Sequence, residues 1–227
     1  MWDEGVLIAG SYLLGSFPFM YLMARLKGVD LREYEDSHIA LWREVGRLQG
    51  FMGVMLDFAK GFTVVLVARA VGFAPGWFAF AGVAAVAGQM WPIFLKFDGE
   101  KGNSIGLAMS GALATSALLI GLIPITIGFL VRTIPRFRRP EQTIDEKLKF
   151  GGPPSNSLPL GMAIGFAVMP LAAWGLDYCW EIIVALAGLF CLIMLRRATA
   201  GITEDLREPS GRKRMVLNRL LYDRSRL

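Results

Sequence analysis

Residues 88–104 read GQMWPIFLKFDGEKGNS, an apolar run that gives way to a short polar loop. In that loop Lys101 stands beside Gly99 and Gly102. Glycine lets backbone N–H groups approach an anion closely, and the lysine adds a point charge, so the combination suits a phosphate. The plainer use of the same residues is a membrane-edge turn with a snorkelling lysine. A second pair, Asp57 and Lys60, interrupts an apolar stretch at 51–71. A spacing of three puts both on one helix face, and ionisable groups inside a span pair with each other or line a polar cavity. His38 is the one histidine of the chain. Any histidine-based relay must use it, and a multi-histidine metal site is excluded. A single histidine in a polar loop is more often a surface residue than a base. These residues imply no metal and no cofactor.

The elements that must hold these groups are apolar helices. Of 227 residues, 54% are hydrophobic, and the mean hydropathy is +0.48. That is too apolar for an ordinary soluble domain, and the apolar residues come in long blocks. The net charge of +5 is concentrated at 132–149 and 196–226. In a membrane protein such clusters report orientation rather than nucleic-acid binding. Cys179 and Cys191 lie twelve residues apart in or beside apolar helix, too far along it to bridge.

The expected fold is all-α, polytopic, with about seven transmembrane helices. Residues 5–26 form the first span, broken by Gly15, Ser16 and Pro18, a cluster that marks a kink or a close helix contact. Residues 27–50 are polar, with Leu31, Tyr34, Ile39, Trp42, Val45 and Leu48 interleaved, which suggests an amphipathic helix at the interface. Residues 51–71 and 77–97 are the second and third spans, joined by a tight turn at 72–76. The apolar run 105–131 would extend about 40 Å as one helix. A single crossing would leave Arg132, Arg136, Arg138, Arg139, Lys147 and Lys149 outside, against the positive-inside rule. Two short passes turning near 110–116 return that loop to the cytoplasm. Residues 158–174 and 178–195 complete the set. The N-terminus is then outside and the C-terminus cytoplasmic. Residues 1–195 form the membrane domain, and 196–227 a basic cytoplasmic tail.

Several stretches together resemble the bacterial acyl-phosphate:glycerol-3-phosphate acyltransferases, the PlsY family. They are Gly15-Ser16-Phe17-Pro18 with Tyr21-Leu22, Asp30-Leu31-Arg32, Asp57-Phe58-Ala59-Lys60-Gly61, and the central run from Gly88 to Gly102. The likeness is dense over residues 10–110 and fragmentary beyond. It implies a seven-pass enzyme of the bacterial plasma membrane that takes part in phospholipid synthesis. Such an enzyme moves an acyl group from acyl phosphate to glycerol 3-phosphate and releases lysophosphatidate. Its partners would be those two substrates and membrane lipids, with no nucleic acid. Carried over residue by residue, the likeness gives Ser37, Gln89 and Lys101 catalytic roles. Arg47, Asp57, Lys60, Gly99, Gly102, Ser104 and Arg196 become substrate-binding residues.

This chain departs from the family pattern at informative places. A glycine-rich run in the first inner loop is replaced by residues 35–43, which hold no glycine and two carboxylates. The family histidine of the central motif is Gln89. A lysine becomes Asp98 and a glycine becomes Glu100. Each added carboxylate repels a phosphate, so both acids must turn outward or pair with a base such as Lys96, Arg43 or Arg47. A second reading is therefore a catalytically silent paralogue that binds lipid or a partner protein. A transporter using Asp57 and Lys60 fits less well, because the other polar residues gather at one membrane face.

Overall fold

The computed structural model describes residues 2–34, 36–147, 155–200 and 212–224. Its described elements are helical: α1 Trp2–Ser16, α2 Phe19–Arg25, α3 Ser37–Ala40, α4 Arg47–Ala70, α5 Pro75–Met90, α6 Asn103–Leu113, α7 Thr115–Phe137, α8 Ile144–Lys147, α9 Ser157–Gly175, α10 Trp180–Thr199 and α11 Arg212–Tyr222. Among the described residues, six segments are long and apolar enough to cross a membrane: Asp3–Arg25, Arg47–Ala70, Pro75–Leu95, Thr115–Phe137, Ser157–Gly175 and Trp180–Thr199. The chain divides into two compact units, Met1–Thr115 with Glu141–Gly152, and Ser116–Pro140 with Pro153–Leu227.

In the first unit α5 packs along α1 and α4, and α6 packs on α4. Glycines set how closely these helices approach. A Cβ on Gly15 would run into the main chain of Ala85, and one on Gly88 into that of Tyr12. Small residues facing each other in this way let helices approach without a solvent-driven core between them. Pro18 interrupts the helix between α1 and α2, standing just before the first residue of α2. The cluster at Gly15, Ser16 and Pro18 is therefore both a break and a close contact.

The polar stretch after α2 is not one amphipathic helix. Asp36 caps α3, accepting from the N–H groups of His38 and Ile39 at 3.1 Å. A π turn over Leu41–Val45 follows, and Gly46 at φ 150° ends it before α4 begins. Leu31, Ala40 and Leu41 fold back against Met20 and Ala24 in a small core, whereas Leu48 is exposed. Period-three spacing suggested a surface helix, but the cap and the glycine cut it into turns.

The long apolar run divides at Ala114, within the stretch where a turn was expected. The division is uneven. α6 has 11 residues, about 16 Å of helix, while α7 has 23 and is a full-length span. Two passes, each short for a full span, were expected, whereas α7 is full length and also carries Arg132 and Arg136, which had been placed in a loop.

In the second unit α9 and α10 pair, and Gly121, Gly128, Gly161 and Gly165 bring α7 against α9. α10 continues through the buried Arg196 and Arg197. Arg197 donates to the carbonyls of Pro159 and Leu220, so part of the basic tail is folded onto α9. The rest of the tail at 201–211 and 225–227, and Lys149 in the basic loop, lie outside the described residues.

Candidate active site

The break after α1 creates the first requirement of the site. Carbonyls at the end of α1 lose their helical partners, and Lys60 of α4 supplies a donor. Its Nζ donates to Phe17 O at 2.8 Å and to Gly15 O at 3.4 Å. It also lies 3.4 Å from Asp57 Oδ1, one turn earlier on α4. Both side chains are buried, as intramembrane charge requires.

Asp57 is the hub. Its Oδ2 accepts from Gln89 Nε2 at 2.8 Å and lies 3.0 Å from His38 Nε2. α4 supplies the acid, α5 the amide near its C-terminal end, and α3 the imidazole, held by the Asp36 cap. The lone histidine is thus part of a buried cluster and not a surface residue. Its spacing from Asp57 gives no local pattern, so sequence periodicity could not find the pair.

The central loop completes the cluster. Trp91 and Pro92 stop α5, and the chain doubles back so that Gly99 N–H donates to Met90 O and Glu100 N–H to Gln89 O. A Cβ at Gly99 would meet Gln89 O and the Pro92 ring, so glycine is needed for this approach. The turn carries Glu100 inward. Glu100 Oε2 accepts from Gln89 Nε2 at 3.2 Å and lies 3.7 Å from His38 Nδ1. Gly102, at φ 73°, then turns the chain into α6.

Charge in this cluster is shared among neighbours. The His38 ring is raised to about 9: burial opposes its charge, but Glu100, Asp57 and Asp36 outweigh that cost. Burial pushes the Glu100 carboxyl up, with His38 pulling the other way. A narrow cleft opens over the cluster, between Phe17–Pro18–Phe19 on one side and Pro92, Leu95 and Gly99 on the other. One wall is aromatic and apolar and the floor is ionic, so the cleft offers both surfaces that an acyl-and-phosphate chemistry needs.

The structure brings some of the expected site residues together and separates others. Asp57, Lys60, Gln89 and Gly99 line the cleft. Ser37 lies beside it, its Oγ 3.2 Å from the hydroxyl of Tyr21, another cleft residue. Lys101 and Ser104 are half-buried on the loop and at the start of α6. Gly99 was expected to give its N–H to a phosphate, but that N–H is used by Met90 O. Arg47 is removed from the cluster. It is exposed and pairs with Asp145, with Nη2 at 2.8 Å and Nε at 3.0 Å. Asp145 is held there because Thr143 and Glu146 form a reciprocal cap at the start of α8. Glu100 turns inward, and its partners are His38 and Gln89 instead of Lys96, Arg43 or Arg47. Arg196 is buried near the end of α10 in the second unit. Glu100 and His38 are the members that site reasoning from the sequence left out. Glu100 looked like a liability, and a lone histidine had no partner in view.

Six apolar spans among the described residues, with an ionic floor held in the first unit, define a polytopic helical membrane protein. The glycerol-3-phosphate acyltransferase family model matches residues 5–204. A glycerol-3-phosphate acyltransferase of Prochlorococcus marinus is 36% identical over 179 residues, covering 72% of this chain and 82% of the relative. That of Geobacter sulfurreducens is 38% identical over 135 residues, covering 56% and 70%. The crystal structure of PlsY (YgiH), an integral membrane glycerol 3-phosphate acyltransferase in its glycerol 3-phosphate form, superposes with a TM-score of 0.69. It is 25% identical, over 90% of this chain and 92% of that one. The chain belongs to the glycerol-3-phosphate acyltransferase family, and it is an integral membrane protein.

Proposed function

We propose that this protein is a plasma-membrane enzyme of phospholipid synthesis that transfers an acyl group from acyl phosphate to glycerol 3-phosphate, yielding lysophosphatidate. The observation that carries this reading is the cleft. A buried Asp57–His38–Gln89–Glu100 floor meets an apolar wall at Phe17 and Phe19. The acyl phosphate carbonyl is already activated by its phosphate leaving group. Positioning and charge stabilisation can then supply most of the rate, and a strong base is not required. Gln89 and Ser37 orient the acceptor hydroxyl, and Lys101 meets a phosphate from the loop. Lys60 fixes the floor by holding Asp57 and the broken end of α1. The cleft and residues 132–157 face the cytosol in this reading, where glycerol 3-phosphate is found.

The test is direct. Purified protein supplied with acyl phosphate and glycerol 3-phosphate should form lysophosphatidate, and Asp57→Asn should abolish it. A well-folded protein that forms no product would leave the lipid- or partner-binding paralogue as the better reading.

A further inference from the structure

Basic residues gather at one end of the second unit. A Cβ at Gly121 would meet Gly165 O, and one at Gly128 would meet Ser157 O, so α7 and α9 run antiparallel. The end of α7, with Arg136 and then Arg138 and Arg139, therefore lies beside the start of α9. α10 finishes at the same end, because Arg197 in its last turn donates to Pro159 O at 3.0 Å. α11 closes this end. It packs on α9 and α10, with Arg197 donating to Leu220 O and Arg219 to Ala200 O. Among the described residues of the unit, Asp223 is the one carboxylate here. Asp177 and Glu181 belong to the opposite turn, between α9 and α10.

α11 has two unlike sides. Met215, Asn218 and Arg219 are buried, whereas Val216 and Leu217 are exposed, Leu217 by 54%. The helix opens with Arg212, Lys213 and Arg214 and contains no acid. Water alone suits neither part, since the apolar pair gains nothing from it and the bases repel one another. The boundary of a bilayer suits both. Apolar side chains enter the region where headgroups meet acyl chains, and bases meet anionic headgroups. The end of α7 repeats the pairing on a separate element: Ile134 and Phe137 are exposed beside exposed Arg138 and Arg139.

We propose that α11 is an interfacial helix that docks on the anionic phospholipid headgroups of the bilayer the chain spans. Val216 and Leu217 enter the headgroup boundary, and the bases at 212–214 supply the attraction. Charge complementarity selects this occupant, because the surface carries one sign and stands at the ends of spans, where headgroups are at hand. A free phosphate ion would satisfy the bases and leave the apolar pair in water. The surface rests only on the spanning helices and on this basic end, and not on acyl transfer.

The full-length protein is reconstituted in nanodiscs of phosphatidylcholine alone, or with phosphatidylglycerol replacing about a third of the lipid, and amide hydrogen exchange is followed along residues 215–222. Each base near an anionic surface contributes roughly fivefold, so these amides should exchange at least about tenfold more slowly in the anionic discs. Salt at about 0.5 M should remove most of the difference. Arg212→Gln, Lys213→Gln and Arg214→Gln combined should abolish the dependence on lipid charge. Arg212→Lys with Arg214→Lys, which keeps the charge, should retain it. Leu217→Gln should speed exchange in both kinds of disc. Equal exchange of the wild type in the two discs overturns the proposal, as does a lipid-charge effect that survives in the triple variant or is lost in the lysine variant. Protection in neutral discs on adding inorganic phosphate would overturn it in favour of a free-anion site.

Discussion

His38 Nε2 lies 3.0 Å from Asp57 Oδ2, the same oxygen that Gln89 reaches at 2.8 Å. The one imidazole of the chain and the Gln89 amide thus meet at a single carboxylate oxygen. His38→Gln should lower turnover with acyl phosphate about 100-fold. The exchange variant, with His38→Gln and Gln89→His together, should recover part of that loss. Equal activity in the single and exchange variants would show that no imidazole is needed at Asp57.

Lys60 joins Asp57 to the broken end of α1. Lys60→Met removes a buried partner from an acid and a donor from Phe17 O. Breaking a buried charge pair in this way costs about 3 kcal/mol. Thermal unfolding in detergent should show a clearly lowered midpoint, and Lys60→Arg should fall less. An unchanged midpoint in Lys60→Met would mean that Asp57 is neutralised by other means.

The helices were legible from the sequence because apolar length and charge bias are signals that add over twenty residues. Asp57 and Lys60 were legible because a charge inside a span is conspicuous and their spacing gives one face. The convergence of His38 and Glu100 was not. It depends on the Asp36 cap, the stop at Gly46 and the reversal between Met90 and Gly99, none of which has a period. Arg47 misled for the related reason that its partner, Asp145, lies 98 residues away.

Close packing of α1 on α5 predicts a sharp contrast between two glycines. A Cβ at Gly15 would strike Ala85, whereas at Gly10 nothing lies within 4 Å. Gly15→Ala should destabilise by ~2 kcal/mol or more through overpacking, and Gly10→Ala should be neutral or slightly stabilising. Comparable melting temperatures for the two variants would count against the α1–α5 contact.

Orientation can be read by labelling. The proposal that residues 132–157 face the cytosol follows from their basic residues. Cys179 and Cys191 are both exposed and must first become serine. Arg139→Cys should then react with an impermeant maleimide only after the cells are opened. Labelling of intact cells would place this loop outside and invert the topology.

The phosphate contact separates two lysine-and-arginine assignments that looked alike in the sequence. Lys101 is half-buried on the loop that carries Glu100 into the cleft and follows Glu100 in the chain. Arg47 is exposed and held by Asp145 in a separate polar depression with Trp42, Arg43 and Thr143. A charged hydrogen bond to phosphate contributes about 1.5–3 kcal/mol, enough to change KM by roughly tenfold or more. Lys101→Ala should therefore raise KM for glycerol 3-phosphate at least about tenfold, with a smaller effect on kcat. Arg47→Ala breaks only an exposed ion pair, which is generally worth under about 1 kcal/mol of stability, and should leave KM near the wild-type value. Steady-state kinetics on the two variants decides between them. A raised KM in Arg47→Ala with none in Lys101→Ala would move the phosphate out of the cleft and into the depression beside Asp145.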